Sequence, residues 1–161
     1  MDGFVSIGDW KWTNDVDFTL VDDNKNVIGE YHAYLKGIHV GNSPQTSMML
    51  NVAYSPLPRL TVGVDCNYYG RYYADFTAAD RTNPEDRADS WRIPDFTLFD
   101  VNVAYGFKIN MVDALLTINV NNVFNKKYIT DALDGADHNA ASALVWYGFG
   151  RTWSVGLRIK I

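Results

Sequence analysis

Alternation of apolar and polar side chains with a period of two constrains the fold of this chain more than any other feature. Near the C-terminus the odd positions from Trp153 to Ile161 are apolar, whereas the even positions from Thr152 to Lys160 are polar or glycine. Successive side chains of an extended strand point to opposite faces, so this pattern predicts a strand with one apolar face. A helix would scatter Arg158 and Lys160 among the apolar side chains.

The same alternation recurs along the chain and predicts seven antiparallel strands. Because it extends over most of the sequence, it indicates an all-β fold with almost no helix. The predicted strands cover residues 10–20, 31–35, 48–54, 60–68, 99–109, 114–120 and 153–161.

Connections between these strands alternate between short turns and long loops. In an outer-membrane β-barrel the short turns face the periplasm and the long loops face the outside of the cell. We therefore expect antiparallel transmembrane β-barrel strands with this orientation. The predicted turns are Asp22–Asn26, Ser55–Pro58 and Asn110–Asp113, and the predicted long loops are Gly37–Thr46, Arg71–Pro94 and Asp131–Gly150.

The composition favours membrane strands over membrane helices. No apolar run reaches the roughly 18–20 residues that a membrane-spanning helix needs, and the mean hydropathy is only −0.18 although 47% of the residues are hydrophobic. Strands that alternate between lipid and lumen average out in this way. Aromatic residues make up 14% of the chain and cluster near 68–76 and 146–153, where strands meet long loops, as in the aromatic girdles of membrane barrels.

Several classes of function are disfavoured. The net charge of −5 argues against a nucleic-acid partner, because phosphate binding relies on Lys and Arg. The only cysteine, Cys66, excludes an internal disulfide and is expected to be an inert residue on the lipid face. The chain contains no phosphate-binding glycine loop, nucleophile elbow or HExxH motif. We therefore expect no enzymatic activity, no cofactor and no metal site.

Candidate ligand contacts are confined to the long loops. The three histidines, His32, His39 and His138, are scattered, and we interpret them as solvated polar residues. The mixed charges of Arg71–Pro94 are expected to form weak surface pairs, and the segment around Asp134 is expected to be a mobile acidic loop. The residues expected to meet a ligand are Tyr72, Tyr73, Asp75, Trp91, Asp134, His138 and Trp146.

Four segments resemble TonB-dependent outer-membrane receptors. The last of them is similar to the closing strand of that family, in which an Arg-Thr-aromatic start runs to a Gly-Leu-basic end. The second last is similar to the penultimate strand, with its Asn-x-Phe-Asn pattern followed by Tyr. One departure is the final residue, Ile161, where the family usually has an aromatic. The segments are Gly37–Thr46, Tyr72–Phe76, Asn121–Ile129 and Gly148–Leu157.

This resemblance implies an outer-membrane transport component of a Gram-negative bacterium. Residues 1–161 would be the C-terminal segment of a barrel of roughly 22 strands, with the plug domain and TonB box outside this chain. Because residues 1–4 lack the features of a signal peptide, we also expect an upstream segment. The family implies active uptake of a scarce, bulky ligand such as a ferric siderophore, cobalamin or an oligosaccharide. The implied partners are outer-membrane lipid, the N-terminal barrel strands and plug, and TonB acting through the plug.

Two other interpretations of the alternation remain open. A complete small outer-membrane barrel, acting as an adhesin or structural protein, would suit the chain length but not an odd number of strands. A secreted β-sandwich that binds carbohydrate could use Trp and Tyr as stacking platforms, but its core would then have to bury residues such as Asp65 and Asp100.

Overall fold

The computed structural model describes residues 1–160, so the expectation about the terminal Ile161 lies outside the described residues. Strands are the main regular structure of the described chain, and helix is almost absent. Its eleven strands are β1 (Asp2–Ile7), β2 (Val16–Val21), β3 (Val27–Ala33), β4 (Pro44–Leu57), β5 (Leu60–Tyr73), β6 (Arg92–Ile93), β7 (Phe96–Ile109), β8 (Val112–Asn121), β9 (Ile129–Leu133), β10 (Leu144–Tyr147) and β11 (Thr152–Lys160), with one short 3-10 helix at Ala78–Arg81.

Seven strands form one antiparallel sheet, and four strands form two separate hairpins. The sheet has the order β1-β4-β5-β7-β8-β11, and β6 pairs with the end of β5. The hairpins are β2–β3 and β9–β10. The predicted fold class, antiparallel strands of a barrel wall, is confirmed. The β-sandwich interpretation is wrong, because the long strands lie side by side in one sheet rather than in two packed sheets.

The strand register preserves the two faces that the alternation predicts. Val101 of β7 lies opposite Val64 of β5 on one side and Val120 of β8 on the other, so apolar residues line up across the sheet. On the opposite face the carboxylate of Asp65 accepts hydrogen bonds from Asn51 and Asn102, at 2.6 and 3.3 Å. In a membrane barrel the apolar face meets lipid and the polar face lines the lumen.

The sheet does not contain the same seven strands that the sequence predicted. The first two predicted strands, over residues 10–20 and 31–35, correspond to the hairpin β2–β3, which pairs only with itself. The wall strand at that edge is instead β1, which pairs with β4 from Asp2↔Asn51 to Ile7↔Thr46. Both hairpins belong to connections between long strands.

All three long connections emerge at the same end of the sheet, called here the loop end. They are residues 8–43 between β1 and β4, residues 74–95 between β5 and β7, and residues 122–151 between β8 and β11. Two-residue turns at Pro58–Arg59 and Asn110–Met111 close the opposite end. The prediction that Asp22–Asn26 joins those short turns is wrong, because this turn is the tip of hairpin β2–β3 within a loop-end connection.

The best-packed part of the structure lies under the long loops, not in the middle of the sheet. Tyr72, Ala74, Ile93, Phe96 and Ala132 form a buried apolar cluster there. In β11, by contrast, the apolar-face residues are more than half exposed, a degree of apolar exposure that a lipid environment accommodates. No helix among residues 1–160 is long and apolar enough to cross a membrane.

Candidate functional site

An aromatic cleft opens on the polar face of the sheet at the loop end. Tyr69 of β5 and Phe96 of β7 are cross-strand partners, with ring centroids 5.2 Å apart, and Tyr128 extends the stack 4.7 Å from Phe96. The cleft has a volume of about 290 Å³ and is lined by Pro44, Tyr69, Tyr72, Phe96, Leu98, Tyr128 and Thr130. Because these rings share the face that carries Asp65 and Asp100, the cleft faces the lumen side of the wall.

Tyr72 connects the sheet to two long loops at the edge of the cleft. Its backbone follows Arg71, which has a positive φ of 49° and interrupts the regular pleat at this point. The hydroxyl of Tyr72 lies 3.0 Å from Asn42 Oδ1 and 2.9 Å from the carbonyl oxygen of Thr130. It therefore connects the end of β5 to two of the long loops.

A buried charge cluster, called here the Arg81 cluster, joins two of the long loops. The Arg81 side chain is 1% exposed and donates to Asp134, to Ser90 and to the carbonyl oxygen of Ala88, at 2.9, 3.0 and 2.9 Å. The Asp134 side chain is only 3% exposed. His138 completes the cluster, with Nδ1 2.5 Å from Asp134 and Nε2 3.1 Å from Asp86.

A second cluster, called here the His39 cluster, joins residues 8–43 to residues 74–95. His39 Nε2 lies 3.0 Å from Asp9, and the backbone N–H of His39 donates to Asp89 Oδ1 at 2.8 Å. Nδ1 also lies 2.8 Å from that oxygen but is not aligned for a hydrogen bond, so this second contact is electrostatic. Lys11 pairs with Asp9 at 3.5 Å, and the imidazole stacks flat on Tyr73 at 4.3 Å.

Hairpin β2–β3 is attached at its base to the same loop of residues 74–95. The Arg87 guanidinium donates two hydrogen bonds to the Asp15 carboxylate, at 2.9 and 2.8 Å. These hydrogen bonds, together with one from the backbone N–H of Lys36, hold the pKa of Asp15 well below its usual range. Asp15 therefore stays ionised, and this attachment persists, throughout the neutral and mildly acidic range.

The structure places the seven predicted ligand contacts in different surroundings. Tyr72, Tyr73 and Trp91 support the packing under the loops, and Asp134 and His138 are engaged in the Arg81 cluster. The Asp75 carboxylate accepts a hydrogen bond from the backbone N–H of Phe76 at 2.9 Å, and the backbone of Asp75 pairs with β9. Trp146 is about half exposed on β10. Of these seven residues, only Tyr72 lines the aromatic cleft.

Two expectations about the loops were wrong. The charges of Arg71–Pro94 include the buried Arg81 rather than only solvated surface pairs, and Asp134 is fixed in place rather than part of a mobile acidic loop. Sequence reasoning also missed Tyr69, Phe96 and Tyr128 as lining residues. No local signal in the sequence identifies the contact between Arg81 and Asp134, because the two residues are 53 positions apart.

The segment Asn121–Ile129 also differs from its expected role as a penultimate strand. Only its first residue belongs to the end of β8, and its last residue opens β9. Between them, Asn122 uses its side-chain amide to donate to the carbonyl oxygens of Lys126 and Phe149, at 2.9 and 3.2 Å. The segment is thus a tight turn after the penultimate wall strand, fixed by a buried asparagine.

No three His, Cys, Asp or Glu side chains among residues 1–160 converge in a way that could hold a metal ion. The candidate site is the aromatic cleft at the loop end, and the three long loops there are fastened to one another. This arrangement can bind and enclose a ligand.

A wall of antiparallel strands, apolar on one face and polar on the other, with long loops fastened over one end, defines the class of outer-membrane barrels. Residues 3–123 match the family described as TonB dependent receptor-like, beta-barrel. The chain belongs to this family.

Two relatives give this assignment detail. The chain is 27% identical over 141 residues to the Probable TonB-dependent siderophore receptor PiuA of Acinetobacter baumannii, a match that covers 83% of the chain and 17% of that protein. The crystal structure of the unliganded ferric citrate transporter FecA aligns with a TM-score of 0.53 at 22% identity, over 81% of the chain and 20% of FecA. This second likeness supports the fold alone. The chain spans about a fifth or less of the length of these relatives.

Family membership confirms three of the sequence predictions. The chain is a barrel portion of a TonB-dependent receptor, it is located in the outer membrane of a Gram-negative bacterium, and it is not an enzyme. The register of the strands, which aligns the apolar residues on one face, provides the physical basis for the membrane location.

Proposed function

We propose that this chain is the C-terminal part of the barrel of a receptor that actively takes up a scarce, bulky ligand across the outer membrane. The observation that carries the proposal is the aromatic cleft on the lumen face, directly beneath the long loops. A ligand entering from the loop end meets this cleft before it meets the polar middle of the wall around Asp65 and Asn102.

Among the ligands that the resemblance implies, a ferric chelate of the siderophore type is best supported. PiuA, the relative at 27% identity, is named as a siderophore receptor. The rings of Tyr69, Phe96 and Tyr128 suit this class, because aromatic faces stack against planar or apolar groups of a ligand. Cobalamin and an oligosaccharide are the other candidates.

The proposed partners follow from the sheet and from the family. The apolar face contacts outer-membrane lipid. We propose that the edge strands β1 and β11 pair with other strands of the same barrel, because each unsatisfied backbone group in lipid costs several kcal/mol. The plug would occupy the lumen beside the polar face, and TonB would act through the plug without contacting this segment.

Uptake measurements in cells test the proposal. A strain that lacks its own siderophore receptors and expresses the intact receptor is supplied with radiolabelled ferric siderophores, cobalamin or oligosaccharides. We expect accumulation of a ferric siderophore, dependent on both the receptor and TonB. Uptake of another ligand would correct the ligand class. If TonB had no effect, the active-transport proposal would be wrong and the interpretation as an adhesin or structural barrel would be favoured.

A matched pair of tyrosines tests the role of the cleft. Tyr69→Ala removes a ring from the lumen face, whereas Tyr105→Ala removes one from the lipid face of the neighbouring strand β7. We expect Tyr69→Ala to weaken ligand binding by about five- to thirtyfold, since an aromatic contact in a binding site contributes on the order of 1–2 kcal/mol. Tyr105→Ala should leave affinity unchanged. If both variants bound the ligand with equal affinity, the cleft would not be part of the binding site.

A further inference from the structure

The two histidines that connect the long loops share one arrangement of charges. In each case an imidazole lies between two carboxylates that belong to two different loops. His138 lies between Asp134 of its own loop and Asp86 of residues 74–95. His39 lies between Asp9 of its own loop and Asp89 of the same residues 74–95. The middle loop is therefore attached on both sides through a histidine.

The hydrogen-bond geometry at His138 favours a ring in which both nitrogens carry hydrogen. A neutral imidazole has one N–H donor and one acceptor nitrogen. Here Nδ1 lies 2.5 Å from an Asp134 oxygen, and Nε2 lies 3.1 Å from both oxygens of Asp86. An ionised carboxylate only accepts hydrogen bonds, so both contacts are favourable only when both ring nitrogens carry hydrogen.

The charge balance of the Arg81 cluster leads to the same conclusion. The Arg81 guanidinium faces two carboxylates, which leaves one negative charge uncompensated in a site where Arg81 and Asp134 are almost fully buried. A proton on His138 neutralises the cluster, and uncompensated charge in such a site is costly. Arg81 Nη1 lies 3.3 Å from His138 Nε2 and opposes the proton. Asp80 lines a cavity of about 370 Å³ together with Arg81 and His138, and its negative charge favours the proton.

The His39 cluster repeats this balance with a lysine in place of the arginine. Lys11 compensates one of the two carboxylates, Asp9 and Asp89, and a proton on His39 compensates the other. The side chain of His39 is 12% exposed, and its ring is covered on one face by Tyr73. Because only one of its ring nitrogens has hydrogen-bond geometry, we expect this cluster to be the weaker of the two.

We propose that the three long loops are fastened together by proton-dependent junctions at His138 and His39. Proton uptake by these histidines neutralises both clusters and holds the loops as one cap over the lumen. Loss of the protons at higher pH leaves a carboxylate in each cluster without its partner and loosens the cap. The junctions control loop mobility whichever ligand the receptor takes up.

Hydrogen–deuterium exchange in the intact receptor tests this proposal. Exchange within residues 74–95 and 122–151 is measured at about pH 5.5 and 8.0 and corrected for the intrinsic pH dependence of exchange. We expect the wild-type loops to exchange about tenfold or more slowly at the lower pH, the size of effect that loss of a charged hydrogen bond gives. Equal corrected protection at both pH values would overturn the proposal.

Variants separate proton-dependent fastening from general packing. His138→Gln should abolish the pH dependence of residues 122–151. His32→Gln is the matched control, because His32 contacts a single carboxylate, Asp17, within hairpin β2–β3 and connects no loops. It should leave the pH dependence intact. Retention of the effect in His138→Gln, or its loss in His32→Gln, would refute the assignment.

A second variant keeps the proposal testable if His138→Gln does not fold. Asp86→Asn removes one carboxylate, so Arg81 and Asp134 then balance each other without a proton on His138. We expect residues 122–151, which the His39 junction does not attach, to exchange at the same corrected rate at both pH values. A pH dependence as large as that of the wild type would show that charge balance in this cluster does not control the loops.

Discussion

Replacement of Arg81 by methionine should open the loops while leaving the sheet intact. Arg81 is 1% exposed and makes hydrogen bonds of 2.9 to 3.0 Å to Asp134, Ser90 and the carbonyl oxygen of Ala88, and its guanidinium also lies 4.8 Å from the ring of Phe76. The substitution retains an unbranched chain but leaves the Asp134 carboxylate buried without its guanidinium. Breaking a buried ion pair from one side costs about 3–5 kcal/mol.

Arg92 of the same loop provides a matched control. It pairs with Asp95 at 3.0 Å, but its side chain is 50% exposed. Removing such a surface pair costs about 0–1 kcal/mol. Arg92→Met should therefore change little, although both variants remove one positive charge from the same segment of residues 74–95.

Exchange of backbone amides in the folded receptor measures the difference. Since each 1.4 kcal/mol corresponds to a factor of ten, Arg81→Met should accelerate exchange of residues 74–95 and 122–151 by about two orders of magnitude or more. Exchange in the middle of β5 and β7 should not change. Similar acceleration by Arg81→Met and Arg92→Met, or less than a tenfold effect of Arg81→Met, would refute the assignment of Arg81 as a buried tie between the loops.

Two further predictions concern the wall and its orientation. Val103→Arg places a charge on the lipid face, which costs about 2–4 kcal/mol near the bilayer midplane. It should reduce the amount of receptor assembled in outer membranes far more than Asn102→Arg on the lumen face. Equal assembly of the two variants would mean that the faces are exchanged. In a Cys66→Ser background, an impermeant maleimide on intact cells should label the variant Asn24→Cys, in the tip of hairpin β2–β3. It should not label Met111→Cys, in a short turn at the opposite end of the sheet. The opposite labelling would reverse the orientation.

Local sequence patterns were sufficient for the five wall strands β4, β5, β7, β8 and β11. Alternation over β7, β8 and β11 reflects a property of each strand by itself, because extended backbone directs successive side chains to opposite faces whatever the strand pairs with. The chemistry of the turns is local in the same way. At Asn110 the backbone has a positive φ of 54°, a conformation that asparagine tolerates better than most residues.

Alternation alone does not determine which strands pair. Residues 16–21 and 27–33 alternate as the wall strands do, yet they form the separate hairpin β2–β3. The wall position at that edge is taken by β1, whose short run of residues 2–7 gave a weaker pattern. The pairing of β1 with β4 closes a connection of 36 residues, so it depends on the alignment of whole strands and not on the residues between them.

The sequence by itself determined the two-faced strands, the short turns and the family, because each depends on residues close together in the chain. The tertiary structure decided what happens at the loop end. Arg81 meets Asp134 from 53 positions away, and His138 meets Asp86 from 52 positions away. Nothing near these charged residues distinguishes them from solvated ones, because their burial results from the convergence of separate loops on a shared sheet edge.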